Sequence, residues 1–318
     1  MKRYVNNPIV TRNDIPKILP YLRDVTSVFN PGAIRFDEKI LLMLRVQNRA
    51  RETYFVMASS EDGINFNAED KIVHWQGIKK IQETIFHIYD PRITKLDDVY
   101  YIMFAMDMAS GCYLGLGKTL DFRLFEFMGI VSNEDNRNGV LFSEKVGGKY
   151  LRLDRPNKVQ LEDGPLTGSS IWLSQSDDLI KWEAVREIIS GRNHYWDELI
   201  GAGPPPVKTD RGWLCVYHGI AMHYQPIYQA GVMLLDLDDP SKVIARGRYN
   251  ILEPRELYET VGQVPNVIFP TGIIIDEFDE NGFAKPESKV SIYYGAADTS
   301  VGMANSTIHE LIELCFEE

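Results

Sequence analysis

Five times along this chain an apolar, extended run leads into a turn of Asp, Gly or Lys and is answered by a second run heavy in aromatic and β-branched residues. The versions read FNPGAIRFDEKILLMLRV from Phe29, YDPRITKLDDVYYIMFAMD from Tyr89, NRNGVLFSEKVGGKYLRLDRP from Asn136, GAGPPPVKTDRGWLCVYHG from Gly201 and FPTGIIIDEFDENGFAKPESKVSIYYGAAD from Phe269. Paired runs of this kind read as β-hairpins. Between them lie SSEDGINF, KTLDFRLF and SQSDDLIKW, where Asp and a turn precede an aromatic residue, as in outer hairpins of the same units. A unit every roughly 50 to 75 residues matches a four-stranded propeller blade. The pattern therefore predicts an all-β, five-bladed β-propeller occupying residues 1–318 as one domain. A β-sandwich with a second domain is the structural alternative, but it gives no reason for five equivalent units. Helical periodicity is confined to HWQGIKKIQET near residue 80 and to STIHELIEL at the end, short helices or a closing strand.

Composition narrows the function classes. Hydrophobic residues make up 44% and charged residues 25% of the 318 positions, the balance of a globular protein. A formal net charge of −11 argues against nucleic-acid binding, which needs a basic face. An anionic ligand would need a local cluster of Arg and His. The N-terminal MKRYVNNPIV lacks the apolar core of a secretory signal, and no run approaches the roughly 20 apolar residues of a membrane span. Cys112, Cys215 and Cys315 have no metal-ligand spacing and read as reduced, buried thiols of a cytoplasmic protein.

In a propeller, residues at the same end of corresponding inner strands converge on one funnel. The first runs begin with Asn30, Asp90, Arg137 with Asn138, and Asn266 just upstream; the second runs end with Arg45, Asp107, Arg155, His218 and Asp298. In antiparallel hairpins these two sets share one mouth. Strand ends that merely meet solvent favour Lys, Glu and Ser, whereas Arg, Asn, Asp and His suit directed bonds to hydroxyls and phosphates. Structural readings stand beside this one: Asp90 as a turn residue before Pro91, Arg155 paired with Asp154 or Glu144, and His218 as a core histidine.

At YDPRIT, NRNGVLFSEKVGGKY, LDRP, IGAGPPPVKTDRGWL, VYHG, LLDLDDPSKV, VPNVIFPTG and YYGAADT the sequence resembles glycoside hydrolase family 130, the β-mannoside phosphorylases and related mannosidases. The resemblance runs from about Asn30 to about Val301 and implies a five-bladed propeller with no metal or organic cofactor, inorganic phosphate being a co-substrate. It implies that Asp90 is the general acid, acting through a hydroxyl of the mannosyl unit. Arg137, Asn138, Arg155 and His218 match phosphate-binding positions; Asn30, Arg45 and Asp298 match positions holding the transferred mannosyl unit, with Tyr89 beside the acid. Many of the phosphorylases carry Lys just before IGAG, where this chain has Leu199, and Lys208 is the nearest later cation. Oligosaccharide and phosphate are the implied partners, with association into a homo-oligomer.

Inverting cleavage of a glycoside needs an acid at the leaving oxygen and a nucleophile on the opposite face of the ring. Water needs a second carboxylate to activate it, while phosphate arrives as an anion and needs only charge compensation. The rival reading is a water-using β-mannosidase of the same family, with Glu259 as its base; a non-catalytic carbohydrate-binding propeller is the rival from another class. The loops HWQGIKKIQETIFHI and IAMHYQPIYQAG, the latter with Tyr224 and Tyr228, are expected to shape the acceptor subsite.

Overall fold

Each apolar–turn–apolar segment folds into the inner strands of one antiparallel sheet, in a computed structural model that describes residues 1–160 and 166–317. Blade 1 comprises Val25–Phe36, Lys39–Asn48, Thr53–Ser60 and Asn67–Ile72, from the inside outwards. Blade 2 comprises Ile85–Leu96, Val99–Met108, Gly111–Thr119 and Phe125–Ile130, with Trp75–Gln76 added in parallel at its edge. Blade 3 is built from Asn136–Leu141, Tyr150–Pro156, Ser170–Ser176 and Glu183–Ser190. In blade 4 the inner strand is split into Leu199–Ala202 and Val207–Thr209, because Pro204, Pro205 and Pro206 have no N–H to give a ladder. Gly212–Ala221, Ile227–Leu235 and Val243–Arg246 complete it. Blade 5 consists of Ile268–Ile275, Lys289–Ala296, Ser300–Thr307 and, from the other end of the chain, Lys2–Arg3.

The outer hairpins repeat one turn three times. Ser60, Thr119 and Ser176 each accept a hydrogen bond from the backbone N–H three residues on. Asp62, Asp121 and Asp178 each accept two more from the following backbone, at 2.8 to 3.1 Å. Of the two helical segments expected, the one near residue 80 is a single 3-10 turn, Ile78–Lys80. The terminal segment is an α-helix, Ile308–Cys315, capped by Thr307, whose side chain accepts from Glu310 N at 3.1 Å.

Side-chain alternation gives each blade two apolar faces, and five cores result, one at each blade junction. Met43 and Phe55 meet Phe104 and Met106 between blades 1 and 2; Met103 and Leu114 meet Leu141 between blades 2 and 3. Leu153 meets Tyr217 between blades 3 and 4, Val216 meets Ile292 between 4 and 5, and Met303 meets Leu44 between 5 and 1. The fifth junction closes the ring. Among the described residues no helix is long and apolar enough to cross a membrane.

Closure depends on the first ten residues, for which the repeat pattern gave no signal. Arg3 and Lys2 pair with Ala304 and Asn305, and Asn7 accepts from Met303 N and donates to Met303 O, both at 2.9 Å. Arg3 also reaches Glu259 at 2.8 and 2.9 Å. Glu259 has no exposure and accepts further bonds from Tyr294 Oη and from the backbone of Arg255 and Glu256. Burial opposes its charge, yet Arg3 and the two amides hold its pKa below the usual carboxylate value. A carboxylate so committed stabilises the fold above its unfolded pKa and loses that contribution as pH falls through its depressed folded value. Arg3→Met should therefore cost on the order of 3 kcal/mol at pH 7 by stranding the buried carboxylate. Urea denaturation is expected to show a lower midpoint at pH 7 and a smaller gap near pH 3; identical midpoints at pH 7 would remove Glu259 from the closure.

Candidate active site

Three inner strands carry the same irregularity at the same place. After Phe29, Tyr89 and Arg137 the register shifts, and Asn30, Asp90 and Asn138 take φ values of 45°, 55° and 54°. Asn and Asp tolerate this left-handed conformation better than bulkier residues. Such bulges re-aim a side chain, and here all three side chains line one cavity. The second strands supply the other wall. In blade 1, Leu42, Leu44 and Val46 face blade 5 while Met43 faces blade 2, so Arg45 also points to blade 2. The same alternation turns Asp107 to blade 3, Arg155 to blade 4 and His218 to blade 5.

All nine expected site residues, Asn30, Arg45, Tyr89, Asp90, Arg137, Asn138, Arg155, His218 and Asp298, line a cavity of about 290 Å³, together with Asp107, Tyr228, Val264, Val267 and Phe269. Asn266 does not join them; it faces a separate groove over blade 4. The following residue, Val267, takes the cavity side because successive strand residues face opposite ways. Of the two loop tyrosines, Tyr228 lines the cavity and Tyr224 is fully exposed. Glu259 lies in the blade 5 network and not in the cavity, so the base expected for a water-using enzyme is a structural residue here.

Asp90 Oδ1 accepts from Asn30 Nδ2 at 2.8 Å and from Arg45 Nη1 at 2.9 Å. The Arg45 guanidinium lies between the Phe29 and Tyr89 rings, 4.4 and 4.7 Å from their centroids, which fixes it over the carboxylate. Beneath Asp90 is a residue that sequence reasoning missed. Arg92, fully buried, donates to the carbonyls of Asp90, Ala202 and Gly203 at 3.0, 3.1 and 2.8 Å, tying the backbone at Asp90 in blade 2 to blade 4. No carboxylate lies within ion-pairing distance of it among the described residues. Burial pulls its pKa down to about 10, against the pull of Asp90.

Opposite Asp90 the charge is positive. Arg137 and Arg155 are directly paired across their strands. Arg155 is 5% exposed, its Nε has no partner among the described residues, and neither carboxylate proposed for it is engaged with it: Asp154 holds Arg152 at 2.7 Å and Glu144 holds Lys208 at 2.9 Å. Burial and then Arg137 pull the Arg155 pKa down to about 10. Among the described residues the carboxylate paired with Arg137 is Asp107, 3.7 Å away, and it already accepts from Tyr89 Oη at 2.7 Å. His218 is buried with both ring nitrogens unpartnered, and burial, then Arg155 and Arg92, hold it well below the ordinary imidazole pKa, so it is neutral. Asn138 Oδ1 is likewise unpartnered. A Cβ at Gly201 would lie 2.5 Å from the His218 ring and 2.6 Å from Asn138 Oδ1, so only glycine lets the two converge. Leu199 is buried and adds no cation. Among the described residues no group of three or more His, Cys, Asp or Glu is placed to hold a metal ion.

The arrangement offers an anchored carboxyl facing unneutralised cations across a space the size of a small polar ligand. The sequence model of a family described as beta-1,4-mannooligosaccharide phosphorylase matches residues 1–317. The chain is 31% identical over 318 residues to the beta-1,4-mannooligosaccharide phosphorylase of Ruminococcus albus, covering 98% of this chain and 89% of that protein. It is 35% identical over 315 residues to the 1,2-beta-oligomannan phosphorylase of a Thermoanaerobacter species, covering 92% and 95%. The solved beta-1,2-mannobiose phosphorylase of Listeria innocua, in complex with beta-1,2-mannobiose, superposes with a TM-score of 0.85 at 28% identity, over 100% and 99% of the two chains.

Asp298 carries a measurable consequence of this crowding. Asp298 is half-buried, and this desolvation raises its carboxyl pKa from 3.8 to about 6, with Arg45 opposing and Asp90 adding to the rise. An acid raised on folding destabilises the fold once ionised, so stability falls as pH rises from about 4 through 6. Asp298→Asn should stabilise the protein by about 1 to 3 kcal/mol at pH 8 and much less at pH 4. Urea melts at the two pH values check this; a gap that does not grow with pH would contradict the buried-carboxyl account.

Proposed function

This chain belongs to glycoside hydrolase family 130, and we propose that it is a mannoside phosphorylase, cleaving a β-1,2- or β-1,4-linked manno-oligosaccharide, or a mannosyl-glucose or mannosyl-N-acetylglucosamine, with inorganic phosphate. The products are α-mannose 1-phosphate and the shortened sugar, with inversion at the anomeric carbon. One observation supports phosphate over water most directly: Arg155 is buried beside Arg137 with no carboxylate paired to it among the described residues. A buried guanidinium beside a second, partly exposed one is repelled by it, and a divalent oxyanion between them turns that repulsion into attraction.

On this reading Asp90 is the general acid. Its Oδ1 is held by Asn30 and Arg45, leaving the other oxygen for a hydroxyl of the mannosyl unit, which relays the proton to the leaving oxygen. The glycosidic C–O bond breaks as a phosphate oxygen bonds to the anomeric carbon from the opposite face, and the proton carried by hydrogen phosphate replaces the one Asp90 gave. Arg137, Arg155, Asn138 and His218 hold the phosphate; neutral His218 donates from one nitrogen and accepts at the other without adding charge. Asn30, Arg45, Tyr89 and Asp298 hold the mannosyl unit. No organic cofactor is invoked. The three unpaired, buried cysteines support action in the cytoplasm, and association into a homo-oligomer belongs to the same reading.

Incubation of β-1,2- and β-1,4-mannobiose with and without phosphate should yield mannose 1-phosphate only when phosphate is present; free mannose released at the same rate without it would replace the reading by hydrolysis. Asp90→Asn should lower kcat by two to three orders of magnitude, roughly the scale of general acid catalysis, with an unchanged melting curve. Arg155→Ala removes charge-assisted bonds, worth about 1.5 to 3 kcal/mol, so the apparent phosphate constant should rise on the order of 10- to 100-fold. Loss of sugar affinity at unchanged phosphate dependence would move Arg155 to the sugar subsite.

A further inference from the structure

Asn266, singled out in the sequence but absent from the central cavity, opens onto a groove of about 760 Å³ over blade 4. Its wall is shared with the cavity. Tyr228 N donates to Asn266 O at 2.9 Å and Tyr228 pairs with Val267, so this short parallel contact shows Tyr228 and Val267 to the cavity and Asn266, Gln229 and Ile227 to the groove. Half-exposed Val264, two residues before Asn266 in the chain, also lines the cavity.

The lining has a consistent chemistry. No Lys or Arg side chain lines the groove among the described residues, so it is not built for an anion. It is not apolar either. Gln229 accepts from Asn250 Nδ2 at 2.8 Å through its Oε1, leaving its own NH2 and the Asn250 carbonyl oxygen without a protein partner among the described residues. The Asn266 amide adds a further donor and acceptor. Tyr249, 50% exposed, and Met222, 40% exposed, supply apolar surface beside them. Planar amides presenting a donor and an acceptor together, next to an aromatic face, suit the vicinal hydroxyls and the C–H face of a neutral sugar.

The geometry points to this groove as a distal subsite for the same substrate: it binds the sugar units of a β-manno-oligosaccharide beyond those held in the central cavity, the chain crossing the wall at Val264. This rests on the phosphorolysis reading for what occupies the central cavity. A cavity of about 290 Å³ is at the small end for a ligand pocket, and a longer chain must therefore lie somewhere outside it. The groove across the wall offers uncommitted hydrogen-bonding groups for that purpose.

Tyr249→Ala and Asn250→Ala are the tests, assayed on β-linked mannobiose and mannotetraose with phosphate. Each variant should lower kcat/KM for the tetrasaccharide about tenfold, chiefly through KM, and leave the disaccharide unchanged. The unchanged disaccharide rate also reports an intact fold. Equal losses on both sugars, or none on either, would overturn the subsite. If the unmodified protein shows no phosphate-dependent cleavage, the catalytic reading has failed, and the groove is then judged by calorimetric titration. Tetrasaccharide binding tighter than disaccharide, with the difference lost in the variants, supports the subsite; equal binding of the two sugars overturns it.

Discussion

The site is organised around buried positive charge that the protein itself does not neutralise. Arg92 and Arg155 are both buried without an ion-pairing carboxylate among the described residues, and Arg137 has only a shared one at 3.7 Å. Desolvating a guanidinium is expensive, and its neighbours make it more so. The surroundings answer in two ways. Arg92 is carried by three backbone carbonyls from blades 2 and 4, a fixed polar setting that does not cancel its charge. Arg155 and Arg137 are left open towards the cavity, where on the proposed reading an incoming anion supplies the missing charge.

A ring of blades is what makes such crowding possible. Five inner strands from distant parts of the sequence end at one mouth, and their second strands place Arg45, Asp107, Arg155 and His218 at matching positions. Like charges gather there only because the five junction cores hold the blades rigidly. The fifth junction depends on the N-terminal segment and on Glu259. The segment following Glu259 runs to Val264 and Val267 on the cavity wall, and Val267 N donates to Glu259 O at 3.1 Å. Ring closure and one side of the site therefore share a short stretch of chain.

Much of this was legible in the chain because it follows from period and repetition. Asn30, Asp90 and Asn138 occupy one repeat position, and alternation along each second strand carries its last polar residue to the mouth. What was hidden depends on contacts with no local signature. Arg92 reads as an ordinary strand residue, and two of its three partners are carbonyls more than a hundred positions away. The strand Lys2–Arg3 is too short to show any pattern, and Glu259 looks like a free carboxylate until Arg3 and Tyr294 are brought to it. Asn266 gives up its expected place in the cavity to Val267 because a wall one residue thick turns neighbouring residues to different spaces.

The choice of nucleophile follows from how the carboxylates are used. Asp90 is tied to Asn30 and Arg45, Asp107 accepts from Tyr89 and faces Arg137, and Asp298 sits close to Arg45 and Asp90, on their side of the cavity. Activating water needs a carboxylate free to take a proton on the face opposite the acid. On the proposed reading that face is taken instead by Arg137, Arg155 and a histidine kept neutral by the same two forces that crowd the arginines, burial and positive neighbours. A neutral imidazole with both nitrogens open can bridge a phosphate oxygen and a sugar hydroxyl, whereas a charged one would add to the repulsion.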